Sequence, residues 1–163
     1  MATALKNLSN YSKDSIPNAA DFKIGIVVSE WNDTITTALF EGAKKTLLEN
    51  GVSEENILVR HVPGAFELPL GTQLMLDSSD VDGVIAIGVV IQGETKHFDF
   101  VCQGATDGLM KVMLEYNSPV SFCLLTDNTL QQSIDRSGGK HGNKGIECAV
   151  ACLKMIDLKK SFE

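Results

Sequence analysis

Four cysteines are scattered over 163 residues without a CxxC pair or a Cys/His cluster at zinc spacing, which argues against a zinc ribbon or a dithiol redox motif. Cys102 and Cys148 fall in helical patterns, Cys152 lies one turn beyond Cys148, and Cys123 sits in an apolar strand. All four are expected as reduced packing thiols, and no metal is expected. No apolar run approaches the roughly 20 residues of a membrane span. The polar start, MATALKNLSNYSKDSIPNAAD, has no apolar core of signal-peptide length. Cytoplasm is therefore the expected compartment, with no membrane partner. A net charge of −7 leaves no general basic surface for nucleic acid or anionic lipid. Arginine is scarce as well: Arg60 and Arg136 stand against twelve lysines. A planar grip on phosphate can come from only those two positions.

What is present reads as a short arm, residues 1–21, followed by one domain over residues 22–163. Lys23 to Val28 reads as a first buried strand. Asn32 or Asp33 can cap a helix running to Asn50-Gly51, with Glu41 and Lys45 paired one turn apart. Asn56 to Val62 is a second strand. Pro69 fits a first helical turn but not an interior, so Pro63 to Phe66 is expected as loop. Asp82 to Val90 is a third strand. The helix after it carries Phe98, Val101, Ala105, Leu109 and Val112 on one face and stops before Pro119. Val120 to Leu125 is a fourth strand, and Thr129 with Gln132 has capping-box spacing for a short helix. A last helix from about Asn143 turns Ile146, Val150, Leu153 and Ile156 inward. Strands alternating with helices, and mostly apolar without alternation, predict an α/β fold: a four-stranded parallel sheet with helices on both faces.

The loops after the four strands then share one edge of the sheet, where open α/β folds bind ligands. They read Ser29-Glu30-Trp31-Asn32, Pro63-Gly64-Ala65-Phe66-Glu67, Gln92-Gly93-Glu94-Thr95 and Thr126-Asp127-Asn128. Trp31 and Phe66 in such loops are expected to cover something flat. Gly93 to Thr95 leads into a helix N-terminus, whose backbone N–H groups suit an anion. His97 follows at once, and histidine is the side chain that moves protons near neutral pH. Arg136 ends the short helix before SGGKHGNKG. That helix is expected to run away from the ligand edge of its own sheet, so Arg136 reaches a pocket most naturally in a neighbouring subunit.

The elements IGIVVSEWND, VPGAFELP, DGVIAIGVVIQGETKHFDFV, PVSFCLLT and QSIDRSGGKHGNKG together resemble the lumazine synthase (6,7-dimethyl-8-ribityllumazine synthase) family over nearly the whole chain. The resemblance implies a flavodoxin-like three-layer α/β/α sandwich that forms homo-pentamers, with sites between adjacent subunits. It implies a riboflavin-pathway transferase that uses no cofactor and joins 5-amino-6-(D-ribitylamino)uracil to 3,4-dihydroxy-2-butanone 4-phosphate. By motif match, Trp31 stacks on the pyrimidine, while Asn32, Gly64, Ala65, Phe66 and Glu67 border the ring and ribityl chain. Val90 and Ile91 read the uracil edge. Gly93, Glu94 and Thr95 hold phosphate with Arg136 from the neighbour, which also supplies Phe122 and Lys144. His97 is the proton carrier.

Three departures qualify the match. Tryptophan at position 31, where many members carry phenylalanine, suggests some riboflavin affinity. Gln92 removes a positive charge, and Glu94 sets a carboxylate beside the anion loop. Members of the family that stop at pentamers often carry an insertion where this chain has only the short loop from Gly138 to Gly145, so the resemblance implies a sixty-subunit shell rather than a bare pentamer. The N-terminal arm would then add to a neighbour's sheet, and riboflavin synthase is a further partner the resemblance suggests. The alternatives are a non-catalytic flavin-binding protein of this fold and a generic flavodoxin-like signalling or redox domain.

Overall fold

In a computed structural model of the protein, residues 6–163 are described. Four parallel strands, β1 (Ile24–Ser29), β2 (Ile57–Val62), β3 (Gly83–Ile91) and β4 (Val120–Asp127), lie in the order β2-β1-β3-β4. Between them run α1 (Asp33–Glu49), α2 (Leu68–Ser78) and α3 (His97–Glu115). After β4 come the short α4 (Leu130–Arg136), an antiparallel hairpin of β5 (Ser137–Gly139) and β6 (Gly142–Asn143), and α5 (Lys144–Lys160).

Side chains alternate across the strands, so the apolar runs feed two cores. Ile24, Ile26 and Val28 of β1 pack with Leu39 and Leu47 of α1 and with Cys152, Leu153 and Ile156 of α5. Val27 points the other way, towards Leu68 and Met75 of α2 and Ala105 and Leu109 of α3. The result is the expected flavodoxin-like sandwich. The chain winds outward from β1 to β2 and then crosses back to β3, so a crevice opens beyond the carboxyl ends of β1 and β3.

Several expectations shift. β3 and β4 run past their expected ends at Val90 and Leu125, because Ile91 and Asp127 still pair and the Gln92 N–H donates to the Asp127 carbonyl at 2.9 Å. A short 3-10 turn, Ala65–Glu67, occupies part of the expected loop ahead of α2. Pro69 does fall in the first turn of α2, and Thr129 Oγ1 accepts from the Gln132 N–H at 3.3 Å. Lys45 pairs forward with Glu49, at 3.8 Å, rather than back to Glu41. On α5 the core face is Cys148, Ala149, Cys152, Leu153 and Ile156, leaving Ile146 and Val150 half-buried on its flank. The glycine-rich run forms the hairpin through positive φ at Gly138 (123°) and Gly142 (84°).

The first five residues of the expected arm lie outside the described residues. From Lys6 onward the chain docks on its own subunit. The Leu8 N–H donates to the His141 carbonyl at 2.8 Å, and Ser9 Oγ accepts from the Asn143 N–H at 3.0 Å. Among the described residues no helix is long and apolar enough to cross a membrane.

Candidate functional site

The crevice is a cleft of about 800 Å³ lined by Trp31, Asn32, Gly64, Ala65, Phe66, Glu67, Val89, Val90, Ile91, His97, Phe100 and Val101. Main-chain bonds assemble it. The Glu30 and Trp31 N–H groups donate to the carbonyls of Val62 (2.9 Å) and Pro63 (3.3 Å), tying the loop after β1 to the loop after β2. A Cβ at Gly64 would come within 3.1 Å of Glu67 Oε2 and 3.4 Å of the Trp31 ring. A Cβ at Gly104 would fall 2.6 Å from the Phe66 ring, so glycine at that point of α3 lets the ring lie on the helix.

Asn32 sits at the N-cap of α1 with φ 58° and ψ 50°, and its side chain makes no cap hydrogen bond. It therefore does not cap α1 in the expected way. Asparagine is the residue other than glycine that enters the left-handed region most readily, so the position is held at small cost. Here it keeps the asparagine amide on the cleft wall instead of over the helix end.

The rings stand in the open. Trp31 is 72% exposed, Phe66 59% and Phe100 71%. They do not plug the core, and flat faces left in water invite a flat ligand. His97 is the first residue of α3, exposed at the cleft wall. Its backbone N–H donates to Thr95 Oγ1 at 3.3 Å, which leaves the threonine hydroxyl hydrogen to donate elsewhere. Nothing would touch a Cβ at Gly93 within 4 Å, so the anion loop opens onto free space beside the helix N-terminus. Glu94 is exposed. Phe100 and Val89 belong to the cleft although sequence reasoning passed over both. Phe100 and Val101 stand three and four residues after His97, the helical spacing that shares a face, and that signal was available.

Six candidate residues are absent from the cleft lining: Gly93, Glu94 and Thr95, in the loop just ahead of His97, and three more, Phe122, Lys144 and Arg136. Phe122 is on the edge strand β4. Lys144 is 12% exposed and its Nζ bonds Glu147 Oε1 at 2.9 Å. Arg136 does not run clear of the ligand edge: its Nε lies 3.8 Å from Asp127 Oδ1 at the carboxyl end of β4, and its Nη1 donates to the Gln132 carbonyl at 2.9 Å. The cause is the brevity of α4, whose 7 residues let a long side chain fold back. Phe122, Lys144 and Arg136 gather on the β4 side of the sheet.

Three of the four thiols lie beneath that same side, while Cys102 is on α3 across the sheet. Cys123, Cys148 and Cys152 are buried and unpaired, and Cys102 is half-buried. The neighbouring Cys148 thiol and burial both push the Cys123 thiol up. Burial pushes Cys152 up to about 12. Such thiols stay protonated at neutral pH and pack as small apolar groups. Among the described residues no group of three or more His, Cys, Asp or Glu side chains is placed to hold a metal ion.

Residues 21–160 match the family described as 6,7-dimethyl-8-ribityllumazine synthase. Proteins of that name from Flavobacterium johnsoniae and Christiangramia forsetii are each 56% identical to the chain across 98% of its length, covering 84% and 96% of their own. One from Phocaeicola vulgatus is 52% identical across 100% of the chain and 97% of its own length.

Proposed function

The chain belongs to the 6,7-dimethyl-8-ribityllumazine synthase family of riboflavin-biosynthesis enzymes, and on that premise we propose how its surfaces divide the reaction. The observation that carries the reading is the cleft itself: exposed rings, an open helix N-terminus and a histidine meet at the crevice beyond β1 and β3.

The pyrimidine of 5-amino-6-(D-ribitylamino)uracil stacks on Trp31. Asn32, Gly64, Ala65, Phe66 and Glu67 border the ring and the ribityl chain, with Glu67 accepting hydroxyl hydrogen bonds. The backbone of Val90 and Ile91 reads the uracil edge. The phosphate of 3,4-dihydroxy-2-butanone 4-phosphate lies on the N–H groups of Gly93 to Thr95 and the Thr95 hydroxyl. His97 moves protons as the imine forms with loss of a water, the phosphate is eliminated, and the ring closes with loss of a second water to give 6,7-dimethyl-8-ribityllumazine. Holding two small molecules in register can supply an effective molarity of ~10⁵ M or more.

Arg136, Phe122 and Lys144 serve the cleft of the next subunit around a homo-pentamer. One surface meeting a different surface on each neighbour is the head-to-tail contact that closes rings. Family members that stop at pentamers often carry an insertion before this last helix. The loop here is short, so the pentamers are assigned to a sixty-subunit shell, with residues 22–163 acting as one domain. Pairing of the arm with a neighbour's sheet edge would require residues 6–21 to leave the contacts they make on their own subunit. Cytoplasm is the compartment this reading assigns, and riboflavin synthase is a candidate partner.

The test is turnover at neutral pH with both substrates, following lumazine fluorescence and released phosphate. Stoichiometric product and phosphate, reduced in His97→Ala and Arg136→Ala, are expected. No rate above the uncatalysed background, with riboflavin still bound tightly, would leave the fold intact and make the protein a flavin binder.

A further inference from the structure

Asp127 ends β4 with its side chain only 9% exposed, and a carboxylate in that setting is costly unless partners hold it. It has partners on both oxygens. Oδ2 accepts from Ser133 Oγ, a fully buried hydroxyl, at 2.9 Å, and Oδ1 faces Arg136 Nε at 3.8 Å. Nη1 of the same guanidinium donates to the Gln132 carbonyl at 2.9 Å. The Asp127 carbonyl in turn accepts the Gln92 N–H at 2.9 Å, at the head of the anion loop.

We propose that Asp127, fixed by Ser133, is a positioning residue for phosphate binding: it holds Arg136 from the Nε side so that the outer fork of the guanidinium faces the neighbouring subunit's anion loop. The inference rests on the reading of Arg136 given above. Among the described residues, the second Nη1 hydrogen and both Nη2 hydrogens of Arg136 have no partner, and those are the groups that grip a phosphate in two places. An unheld arginine must give up its rotamer freedom each time phosphate binds; one already pinned at two points has given up most of it on folding. A lysine at position 136 could not be held this way, because its ammonium offers no Nε side. Residue 127 also joins both phosphate-gripping parts, one through its carbonyl and one through its carboxylate, so the loop of one site and the arginine of the next share a support.

The experiment is steady-state kinetics on the assembled full chain, comparing Asp127→Asn, Arg136→Ala and the double variant. Asp127→Asn keeps the shape and can still accept from Ser133 but loses the charge that faces Nε. It is expected to raise KM for 3,4-dihydroxy-2-butanone 4-phosphate by about 3- to 10-fold, the worth of one immobilised long side chain, with a smaller change in kcat. KM for the pyrimidine should stay put. Added to Arg136→Ala, the same substitution should raise KM no further, because its route to the phosphate has gone. An unmoved or lowered KM in Asp127→Asn, or an equal rise with and without Arg136, overturns the inference. An unmoved KM in Arg136→Ala overturns the phosphate role of Arg136 itself, and the positioning role with it. If Asp127→Asn does not assemble, Ser133→Ala takes its place, with a smaller rise in the same KM that again vanishes in the Arg136→Ala background.

Discussion

The cleft and the β4 edge are furnished in opposite ways. At the cleft, Trp31, Phe66 and Phe100 stand mostly in water, beside a histidine. At the β4 edge the cations are tucked away: Lys144 is paired with Glu147, and Arg136 with Asp127. A lone subunit gains little from either arrangement, since uncovered rings forgo burial and half-buried cations forgo water. Each is reasonable as half of a site. The cleft offers flat faces and a helix N-terminus but has no cation, and the edge offers held cations with nothing to grip. The ring proposed above, by setting one against the next, would resolve both at once.

The contrast breaks most readily at the proton carrier. His97→Ala should lower kcat by roughly 10²–10⁴-fold without abolishing turnover, because proximity in the cleft survives. Its thermal midpoint should hardly move, as an exposed first residue of α3 buries little. A kcat within a few-fold of the parent would remove His97 from the chemistry.

The side beneath the β4 edge should answer the other way, in stability. Leu153→Ala, at a fully buried position between α5 and the sheet, should cost about 2–5 kcal/mol in a denaturant titration. The same side sets an alkaline limit. The Cys152 thiol is raised from 9.0 to about 12 in the fold, so the unfolded chain loses this proton first. Its contribution is whole below pH 9.0 and falls away as pH rises towards about 12. Urea midpoints at about pH 8 and about pH 10.5 should diverge more in the parent than in Cys152→Ala. Equal divergence would mean that another group sets the limit.

Arg136→Ala tests whether the two regions belong together. Losing one charge-assisted grip should raise KM for the phosphorylated substrate about 10- to 100-fold, the equivalent of roughly 1.5–3 kcal/mol. Refolding it in equal amounts with His97→Ala is the sharper form. If each site takes its cleft from one subunit and its arginine from the next, about a quarter of the sites in mixed rings are whole and activity returns. Activity that stays at the mean of the two variants would mean that each cleft is complete within one chain.

The sequence makes the sheet legible because its strands are apolar at successive positions rather than alternate ones, and because Pro69, Pro119 and the Thr129–Gln132 cap punctuate the helices. The cleft is legible for the same reason: once the strands are parallel, their trailing loops must meet. What escapes is set by contacts distant in sequence. Asp127 looks like a turn residue until β4 is seen pairing to its end and Ser133 is found facing it. Asn32 reads as a helix cap, yet asparagine is also the residue other than glycine that goes left-handed most readily, and nothing local decides between the two. Phe100 escapes for a different reason: the apolar stripe of α3 runs through Phe98 towards the core, and Phe100 lies off it on the face of His97.

The smallest effect in folding terms belongs to the largest exposed ring. Trp31 is 72% exposed, so Trp31→Ala should change unfolding free energy by less than about 0.5 kcal/mol, as at an ordinary surface position. A larger loss would mean that the ring supports the loop after β1 rather than waiting for a ligand. Its consequence should appear only when something flat arrives. As the single tryptophan, it reports on itself: added riboflavin should quench its fluorescence saturably, and flavin binding followed by the flavin's own emission should weaken in Trp31→Ala while Trp31→Phe keeps part of it. If flavin binds equally well to Trp31→Ala, the indole is not the stacking face, and Phe66 with Phe100 becomes the wall against which the ring lies.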